Sequence, residues 1–281
     1  MQQREVRKLV EENRAEVIEL LSEDPLRGVL LRGMIEDHGI CHPAHRGHLF
    51  GYYEDRRLTG VALLGHHILI YGEDTAISYF ARVAAEIQAK GHMILGPQAQ
   101  VEAFWHHLSQ SGRETKLVSQ QLWYVCEQPR WSLNQMQLQR ANLAELGVVA
   151  DAQAEMAYEA SGTDPRVSDP EGFRQRVKER IQRGRTWVKI EDGKVVFKAE
   201  LQSVTPEAVY LEGIWTHPDY RGRGLAKSCL TELVHRLRHQ HQRVCLLVGP
   251  EEKVALKVYE HVGFVHSEDY QARFLKPQAC V

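Results

Sequence analysis

The same order of predicted elements occurs twice along the chain, and this repetition limits the fold more than any other feature. Each half is predicted to pass through two helices, three strands, a helix, a strand, a further helix and a final strand. The segment LGPQAQVEAFWHH at 95–107 also resembles VGPEEKVALKVYE at 248–260. The join is predicted in EQPRWSLNQ, residues 127–135. The sequence therefore predicts an N-terminal domain at 1–130 and a C-terminal domain at 136–281.

These patterns predict an α+β (mixed α/β) fold in which each domain has a mixed, mostly antiparallel central sheet flanked by helices. In the N-terminal half, the first two helices are predicted at 4–22 and 25–37. In the C-terminal half, an Asp-Gly pair at 192–193 joins two strands of a hairpin. The segment AVYLEGIWT at 208–216 is predicted to form the next strand, and an amphipathic helix is predicted at 223–241.

Composition argues against several classes of partner and location. The 281 residues carry a formal net charge of −2, whereas nucleic-acid-binding domains usually carry a basic excess, so no nucleic acid partner is predicted. No apolar run reaches the roughly 18 residues of a spanning helix, and the charged N-terminus lacks the apolar stretch of a signal peptide. We therefore expect a cytoplasmic protein without a membrane partner, whose scattered cysteines are reduced thiols. The five cysteines are Cys41, Cys126, Cys229, Cys245 and Cys280.

Residues 217–228, HPDYRGRGLAKS, connect the predicted strand to the amphipathic helix. Glycine at such a turn permits positive φ and lets a ligand approach the backbone. The helix start offers unpaired N–H groups and the positive end of the helix dipole. This combination is typical of an anion site, most often for phosphate, to which Arg221 and Arg223 would add charge-assisted hydrogen bonds. The alternative is a surface turn with solvated arginines.

Two common phosphate loops do not match this segment. The Walker A pattern requires glycines where the chain has Arg221 and Ala226. The dinucleotide fingerprint requires a third glycine where the chain has Lys227. The pattern that does match is Q/R-x-x-G-x-G/A, which is supplied by Arg221, Gly224 and Ala226.

With this pattern, IWTHPDYRGRGLAKSCL followed by VYEHVGF resembles the two best-marked segments of the GNAT superfamily of acyl-CoA-dependent N-acyltransferases. The resemblance covers about residues 136–281, and the whole chain resembles bacterial two-domain acetyltransferases with a divergent GNAT-like N-terminal domain. It implies two tandem GNAT-like domains, acetyl-CoA as acyl donor, and direct attack by a primary amine of a small molecule or protein in a ternary complex. The sequence does not identify this amine acceptor and leaves homodimer formation open.

The resemblance also implies where the donor binds. The strand before the loop would splay from its neighbour and pair with the pantetheine arm of CoA through Ile214, Trp215 and Thr216, and Gly213 would mark a bulge. A backbone N–H near Ile214 would hold the thioester oxygen as negative charge develops. A plain core strand is the alternative. The predicted pyrophosphate-binding residues are Arg221, Gly222, Arg223, Gly224, Leu225 and Ala226.

For the chemistry, the resemblance implies that Tyr259, in the Y-x-x-x-G-F segment, protonates the departing thiolate. A packing role for this tyrosine is the equal alternative. Glu212 is the preferred candidate for the base that accepts the amine proton, and Glu200 on the neighbouring strand is the other. Strand alternation places Tyr210, Glu212 and Ile214 on one face.

The N-terminal half lacks this machinery. In the position of the phosphate loop it has IYGEDTAIS at 70–78, with one glycine, no arginine and two acids that repel phosphate. This half is therefore predicted to be a scaffold that has lost CoA binding.

Two further groups of polar residues are predicted to be structural. The stretch HGICHPAHRGH at 38–48 holds closely spaced histidines and a cysteine. Because no second ligand pair follows at a finger-like distance, we predict a polar loop and no metal site. Asp164, Arg166 and Asp169 lie in the loop that walls the acceptor pocket in the family, and turn and cap roles are favoured for them.

Three functions remain open from the sequence. The first is an acetyl-CoA-dependent N-acetyltransferase, and the second is a transferase that uses a longer acyl or aminoacyl donor. The third is an acyl-CoA-binding sensor or interaction module without turnover. Many relatives have an asparagine that steadies the pantetheine seven residues before Tyr259, and this chain has Glu252 there, which keeps the third function open. Fold alone does not decide between these functions. The retained Tyr259 and the intact Arg-Gly-Arg-Gly loop argue against the third and favour an enzyme.

Overall fold

The computed structural model describes residues 3–130 and 136–277. The strands are β1 (Arg4–Lys8), β2 (Gly47–Glu54), β3 (Arg57–Gly65), β4 (His67–Tyr71), β5 (Met93–Pro97), β6 (Thr115–Cys126), β7 (Gln139–Arg140), β8 (Thr186–Glu191), β9 (Lys194–Val204), β10 (Ala208–Thr216), β11 (Arg243–Val248) and β12 (Val265–Leu275). The helices are α1 (Arg14–Glu23), α2 (Pro25–His38), α3 (Asp74–Glu86), α4 (Gln98–Leu108), α5 (Leu146–Ser161), α6 (Pro165–Ser168), α7 (Pro170–Gln182), α8 (Leu225–Arg238) and α9 (Lys253–Val262). Across these residues, none of the helices is both long enough and apolar enough to cross a lipid bilayer.

The chain divides into two compact units. The first unit contains Met1–Trp123, Leu247–Glu252 and His266–Val281, and the second contains Tyr124–Leu246 and Lys253–Val265. Each unit is therefore assembled from separate stretches of chain, and nearly all of β12 belongs to the first. Most of the predicted join at 127–135 lies outside the described residues, and the linear division into 1–130 and 136–281 stays a prediction.

The sheet of the first unit has the strand order β1-β2-β3-β4-β5-β12. Neighbouring strands are antiparallel except β4 and β5, which are parallel and are connected through α3. One buried apolar cluster joins the strands to α3 and α4, and a second joins them to α1 and α2. The first unit is thus a mixed, mostly antiparallel sheet flanked by helices, as the sequence predicts.

The first element differs from the sequence prediction, because β1 occupies part of the helix predicted at 4–22. The stretch REVRK is compatible with a period of two, and β1 forms the edge of the sheet beside β2. Edge strands readily carry charged side chains. Here Arg4 is 3.2 Å from the Glu54 carboxylate, and the Arg7 guanidinium lies 4.8 Å from the centre of the Tyr53 ring. These cross-strand contacts, which are invisible to a local pattern, favour the strand.

The second unit repeats this plan with the strand order β7-β8-β9-β10-β11. Its neighbouring strands are antiparallel except β10 and β11, which are parallel and are connected through α8. The β8–β9 hairpin turns at Asp192 and Gly193, both with positive φ, as predicted. Apolar residues of α5 and α7, including Val149 and Phe173, form a buried cluster with Trp215 of β10. Each unit therefore has one parallel pair with a helical crossover in an otherwise antiparallel sheet.

The described cysteines are free thiols, and only Cys41 is exposed. Desolvation raises the pKa of Cys126 to about 11 and that of Cys229 to about 12. It also raises the pKa of Cys245. These buried thiols are therefore protonated near neutral pH and act as packing residues. Cys280 lies outside the described residues.

Candidate active site

Strand β10 leaves its parallel neighbour halfway along its length. Ala208–Leu211 pair in register with Arg243–Leu246 of β11, and the paired stretch ends there. Residues 212–216 continue β10 beyond it. A splayed strand edge of this kind is able to accept an extended ligand as an added strand. The structure thus has the opening that the sequence predicts beside residues 214–216.

A β-bulge at Gly213 bends β10 at the start of this stretch. On the side of β9, Glu212 pairs with Glu200, and the next pair is Trp215 with Lys198. Two residues of β10 therefore stand opposite one residue of β9. Gly213 has φ +59°, the left-handed conformation that glycine adopts in such bulges. The bulge predicted from a mid-strand glycine is confirmed.

The bulge changes which side chains share a face of β10. The register shifts once after Tyr210 and again after Glu212. The strict alternation that placed Tyr210, Glu212 and Ile214 together therefore does not hold along this segment. In the structure Tyr210 is buried, Glu212 is exposed and Ile214 is half-buried.

Glu212 combines solvent contact with a raised carboxyl pKa. Its side chain is exposed, but the surrounding protein raises its pKa, chiefly by desolvation. Arg180 and Lys198 lower this pKa and Glu200 raises it further, and the net direction is upward. Neighbouring protein atoms can desolvate a carboxylate enough to raise its pKa while the residue still contacts water. The raised pKa makes this carboxylate a stronger proton acceptor than an ordinary glutamate, and raised carboxyl pKa values are frequent at functional sites.

Glu200, the alternative base, is occupied by two cations. It is 2% exposed. One carboxylate oxygen accepts a hydrogen bond from Lys198 Nζ at 3.1 Å, and the other accepts one from Arg180. Desolvation alone would raise the pKa of Glu200, but the two cations outweigh it and hold the pKa below its usual value. A carboxylate bound on both oxygens is a poor proton acceptor, so the structure favours Glu212 over Glu200.

Lys198 lies fully buried beside the bulge. Besides its bond to Glu200, its Nζ donates to the carbonyl oxygen of Gly213 at 3.2 Å. Burial lowers the pKa of Lys198, and the Glu200 carboxylate opposes this shift. Sequence reasoning did not single out this lysine. Its position inside the apolar strand segment VVFKAEL was the available signal, because buried charges are tolerated only when paired.

The loop between β10 and α8 has the conformation that its glycines predict. Gly222 has φ +76°, and Gly224, directly before α8, has φ +80°. In the described structure, no atom beyond the chain neighbours lies within 4 Å of a Cβ built on either glycine. Residues 221–224 are exposed. The start of α8 is therefore accessible to an anion.

An open cavity of about 390 Å³ lies at this helix start. It is lined by Met136, Glu191, Tyr220, Arg223, Gly224, Leu225 and Ser228. The Arg223 guanidinium lies 5.6 Å from the centre of the Tyr220 ring, and Glu191 is ion-paired with Lys189 at 3.0 Å. The cavity thus offers a guanidinium, the Ser228 hydroxyl and helix N–H groups, which suit phosphate oxygens. The sequence reasoning had not named Tyr220 or Ser228.

Arg221 has different surroundings from Arg223. Its Nη2 donates to both carboxylate oxygens of Glu159, at 3.0 and 2.7 Å, and its Nε donates to the Thr216 carbonyl at 2.9 Å. Glu159, near the end of α5, also accepts a hydrogen bond from Trp215 Nε1 at 3.2 Å. Arg221 therefore ties the loop to β10 and α5. Sequence reasoning missed Glu159, which no local motif marks.

We expect Arg223→Gln to weaken CoA binding more than Arg221→Gln does, because Arg223 lines the cavity whereas Glu159 already neutralises Arg221. Loss of a charge-assisted hydrogen bond costs roughly 1.5–3 kcal/mol, or about 10- to 100-fold in Kd. Isothermal titration with CoA at two salt concentrations measures the effect, and the salt dependence of Kd should decrease in Arg223→Gln. Arg176→Gln removes an exposed ion-paired guanidinium on α7 and is the control. The reverse ranking would show that phosphate draws Arg221 away from Glu159.

Tyr259 lies in the last turn of α9 and is half-buried. Its ring centre is 6.0 Å from that of Phe264, at 61°. Its carbonyl accepts hydrogen bonds from the N–H groups of Gly263 and Phe264, at 3.1 and 3.0 Å, so the Y-x-x-x-G-F segment ends the helix. Glu252 is exposed directly before α9, and its N–H donates to the Gly249 carbonyl at 3.1 Å. The packing contact of Tyr259 is present, and its role as an acid stays a prediction.

The acidic residues of the α5–α7 region have structural partners. The Asp164 carboxylate accepts the N–H of Arg166 at 2.9 Å, and the Asp169 carboxylate accepts the N–H of Gly172 at 3.1 Å. Arg166 is ion-paired with Asp151 and Asp164. These contacts confirm the turn and cap roles predicted for this loop.

The histidine-rich stretch folds into a hydrogen-bonded turn. The ring centres of His38, His42 and His45 lie between 4.7 and 6.3 Å apart. His42 Nδ1 accepts the N–H of Ala44, and His45 Nε2 bonds the Gly39 carbonyl. Within 3–130 and 136–277, no group of three or more His, Cys, Asp or Glu side chains is arranged to hold a metal ion.

In the first unit, the turn between β4 and α3 corresponds in position to the loop before α8. Gly72 has a positive φ, and Glu73 and Asp74 follow it at the helix start. Carboxylates there interact favourably with the helix dipole, and they repel a phosphate in the same place. This turn keeps the strand-to-helix connection without the residues that would favour an anion.

Comparison with known families identifies the family to which most of the second unit is similar. Residues 153–264 match the family model described as "Acetyltransferase (GNAT) family". They form a GNAT acetyltransferase domain. The match includes β10, the Arg-Gly-Arg-Gly loop, α8 and Tyr259, so the resemblance inferred from these segments is confirmed. Residues 47–149 match the family described as "Domain of unknown function (DUF4081)". No curated protein matched the chain in sequence.

Solved structures support the same fold over nearly the whole chain. A tandem GNAT protein from the clavulanic acid biosynthesis pathway superposes with a TM-score of 0.62 at 12% identity, covering 99% of this chain and 100% of its own. An acetyltransferase of the GNAT family from Colwellia psychrerythraea gives 0.58 at 16% identity, covering 96% and 99%. A GCN5-related N-acetyltransferase from Sphaerobacter thermophilus gives 0.59 at 15% identity, covering 98% and 95%. At these identities the likeness establishes the fold, which is that of two tandem GNAT-like domains.

Proposed function

We propose that the chain is an acetyl-CoA-dependent N-acetyltransferase that transfers the acetyl group to a primary amine of a small molecule or protein. The observation that carries this proposal is the splayed and bulged strand β10, which leads into a glycine-rich helix start beside an open cavity. The GNAT family match over the same residues supports an acyltransferase. The choice of acetyl as acyl group and of an amine as acceptor belongs to the proposal.

The donor would bind along β10 and across the loop. The backbone of Ile214, Trp215 and Thr216 would pair with the pantetheine arm. The loop residues Gly222–Ala226 would hold the pyrophosphate at the start of α8, with Arg223 adding charge. In this proposal Arg221 positions the loop through Glu159.

Each step of the transfer has a candidate group in the second unit. Glu212 would accept the proton of the attacking amine, directly or through water. The Ile214 N–H would stabilise the thioester oxygen as the new N–C bond forms and negative charge develops. Tyr259 would donate a proton to the CoA sulfur as the C–S bond breaks, because a thiol with a pKa of about 8.5 leaves poorly as a thiolate.

Glu212→Gln is expected to lower kcat roughly 10²-fold, the lower end of the usual range for a general base, because water can also accept the proton. The raised carboxyl pKa sets the pH dependence. In the wild type, kcat/KM should fall as the pH drops through this raised pKa, since the base form is lost there. The variant should lack this acidic limb. A pH–rate profile of thiol release with an active amine measures both.

Protein stability gives a control, because Glu212→Gln and Glu200→Gln should change Tm in opposite directions. A raised folded-state pKa means that the folded protein holds the Glu212 proton where the unfolded chain has lost it, so the group destabilises the fold at neutral pH. Glu212→Gln should therefore raise Tm at pH 7. The lowered pKa of Glu200 has the reverse effect, and Glu200→Gln should lower Tm at pH 7. Unchanged kcat in a folded Glu212→Gln variant would remove Glu212 from the mechanism.

The proposed function is tested first by donor binding. Isothermal titration with acetyl-CoA should give one site per chain, because the turn at Gly72 lacks the arginines and carries two acids. Two equivalent sites would contradict the scaffold role of the first unit. A panel of primary amines, with release of the CoA thiol as the readout, should then reveal an acceptor. Tight acetyl-CoA binding without turnover on any amine would favour the sensor function. Turnover only with longer acyl donors would favour a transferase that uses a longer acyl or aminoacyl donor.

A further inference from the structure

Lys198 is a buried charge that the proposed donor binding and proton transfers leave unused. Its side chain is 0% exposed. An ammonium inside a sheet is destabilising unless its hydrogen bonds compensate for the lost water, and an apolar side chain of similar length often serves stability as well. The contacts of Lys198 are therefore the guide to its role. They are the Glu200 carboxylate at 3.1 Å and the Gly213 carbonyl at 3.2 Å.

One peptide group links Lys198 to the backbone N–H that would face the thioester oxygen. The Gly213 carbonyl and the Ile214 N–H belong to the same trans peptide, so they point in opposite directions. A bond that fixes the carbonyl end therefore also fixes the direction of the N–H. A cation at the carbonyl oxygen draws electron density from the amide as well, which strengthens the N–H as a donor.

The surroundings hold Lys198 at this peptide. Gly213 adopts φ +59° and is one of the two bulged residues of β10 that stand opposite one residue of β9. Glu200 pairs with Glu212, the residue before the bulge, and its carboxylate accepts a hydrogen bond from the Lys198 ammonium. Arg180 of α7 binds the second oxygen of Glu200. A series of charged contacts thus runs from α7 through Glu200 and Lys198 to the bulge.

We propose that Lys198 is a positioning residue for acyl transfer, which orients and polarises the Gly213–Ile214 peptide so that the Ile214 N–H stabilises the thioester oxygen. This inference rests on the proposed function, since it needs a thioester at β10. Lys198 itself makes no contact with the donor and exchanges no proton with it.

The test uses Lys198→Met, which keeps the length of the side chain and removes its charge, in the full chain. Acetyl-CoA labelled with carbon-13 at the thioester carbonyl reports hydrogen bonding to its oxygen through the chemical shift. We expect the bound wild-type resonance to lie downfield of free acetyl-CoA and this displacement to be largely lost in Lys198→Met. The kcat should fall about 10-fold, less than for deletion of an oxyanion donor, with KM nearly unchanged. Lys8→Met removes a lysine of strand β1 in the first unit, and it should leave shift and kcat unchanged.

Gly213→Ala perturbs the same contact without removing the charge. Its Cβ would lie 3.1 Å from Lys198 Nζ, at a φ that disfavours alanine, so the ammonium must move. We expect the downfield displacement to decrease here too. The inference would be overturned if Lys198→Met kept both the wild-type downfield displacement of the thioester resonance and the wild-type kcat. If that variant does not fold, a full displacement in Gly213→Ala would overturn it. Failure of the proposed function has a different signature, because wild-type protein would then either give no resonance for bound acetyl-CoA or bind it without releasing thiol with any amine.

Discussion

Tyr259→Phe is expected to lower kcat by roughly 10²- to 10⁴-fold, the usual contribution of a positioned general acid, while CoA affinity changes little. The substitution keeps the ring that packs 6.0 Å from Phe264 and removes only the phenolic proton. A loss in kcat without a rise in KM marks an interaction made mainly in the transition state. The measurement is steady-state thiol release with an active amine, together with isothermal titration of CoA.

Tyr79→Phe is the matched control for this change. Tyr79 is also half-buried on a helix and lies against another aromatic ring, that of Tyr52 at 5.2 Å, but it belongs to the first unit. Both variants should keep the wild-type Tm within a few degrees, since each loses one hydroxyl. Full kcat in Tyr259→Phe would reduce Tyr259 to a packing residue, and the thiolate would then take its proton from water or another side chain.

The parts of the fold and site that the sequence predicts are those with local signals. The strand, the proline stop, the glycine pair and the amphipathic helix lie within one short stretch, and the structure has β10, the left-handed glycines and α8 in that order. The bulge at Gly213 is also local, because a mid-strand glycine is destabilising unless the backbone needs it. The two-domain plan follows from the repeated element order, which the parallel pairs β4–β5 and β10–β11 reproduce.

The parts that the sequence does not predict depend on contacts between distant residues. Glu159 and Arg221 are 62 positions apart, so no motif shows that α5 neutralises the first arginine of the loop. Glu200 is a plausible base until the structure shows two cations on its carboxylate. Strand β1 is a strand because of its partner β2, although its sequence is also compatible with a helix. In each case tertiary pairing decides between local patterns that are nearly equivalent.

Gly224→Val is expected to abolish CoA binding while leaving most of the fold intact. Gly224 stands directly before α8, its Cβ position is open in the described structure, and it lines the cavity at the helix start where a phosphate would meet the helix N–H groups. A branched side chain would fill this space, and its strain at φ +80° would disturb the turn that presents these groups. Thermal shift with and without CoA measures the loss, because a ligand that binds only the folded state raises Tm.

Gly193→Val separates lost access from backbone strain. Gly193 has φ +73° at the tip of the β8–β9 hairpin, and its Cβ position is equally open in the described part of the chain. Both variants should therefore lose a similar amount of stability from the left-handed valine, and Tm without ligand should fall by comparable amounts. Only Gly224→Val should lose the stabilisation by CoA. Undiminished stabilisation in Gly224→Val would place the phosphates elsewhere on the chain, whereas a loss in both variants would trace the effect to strain.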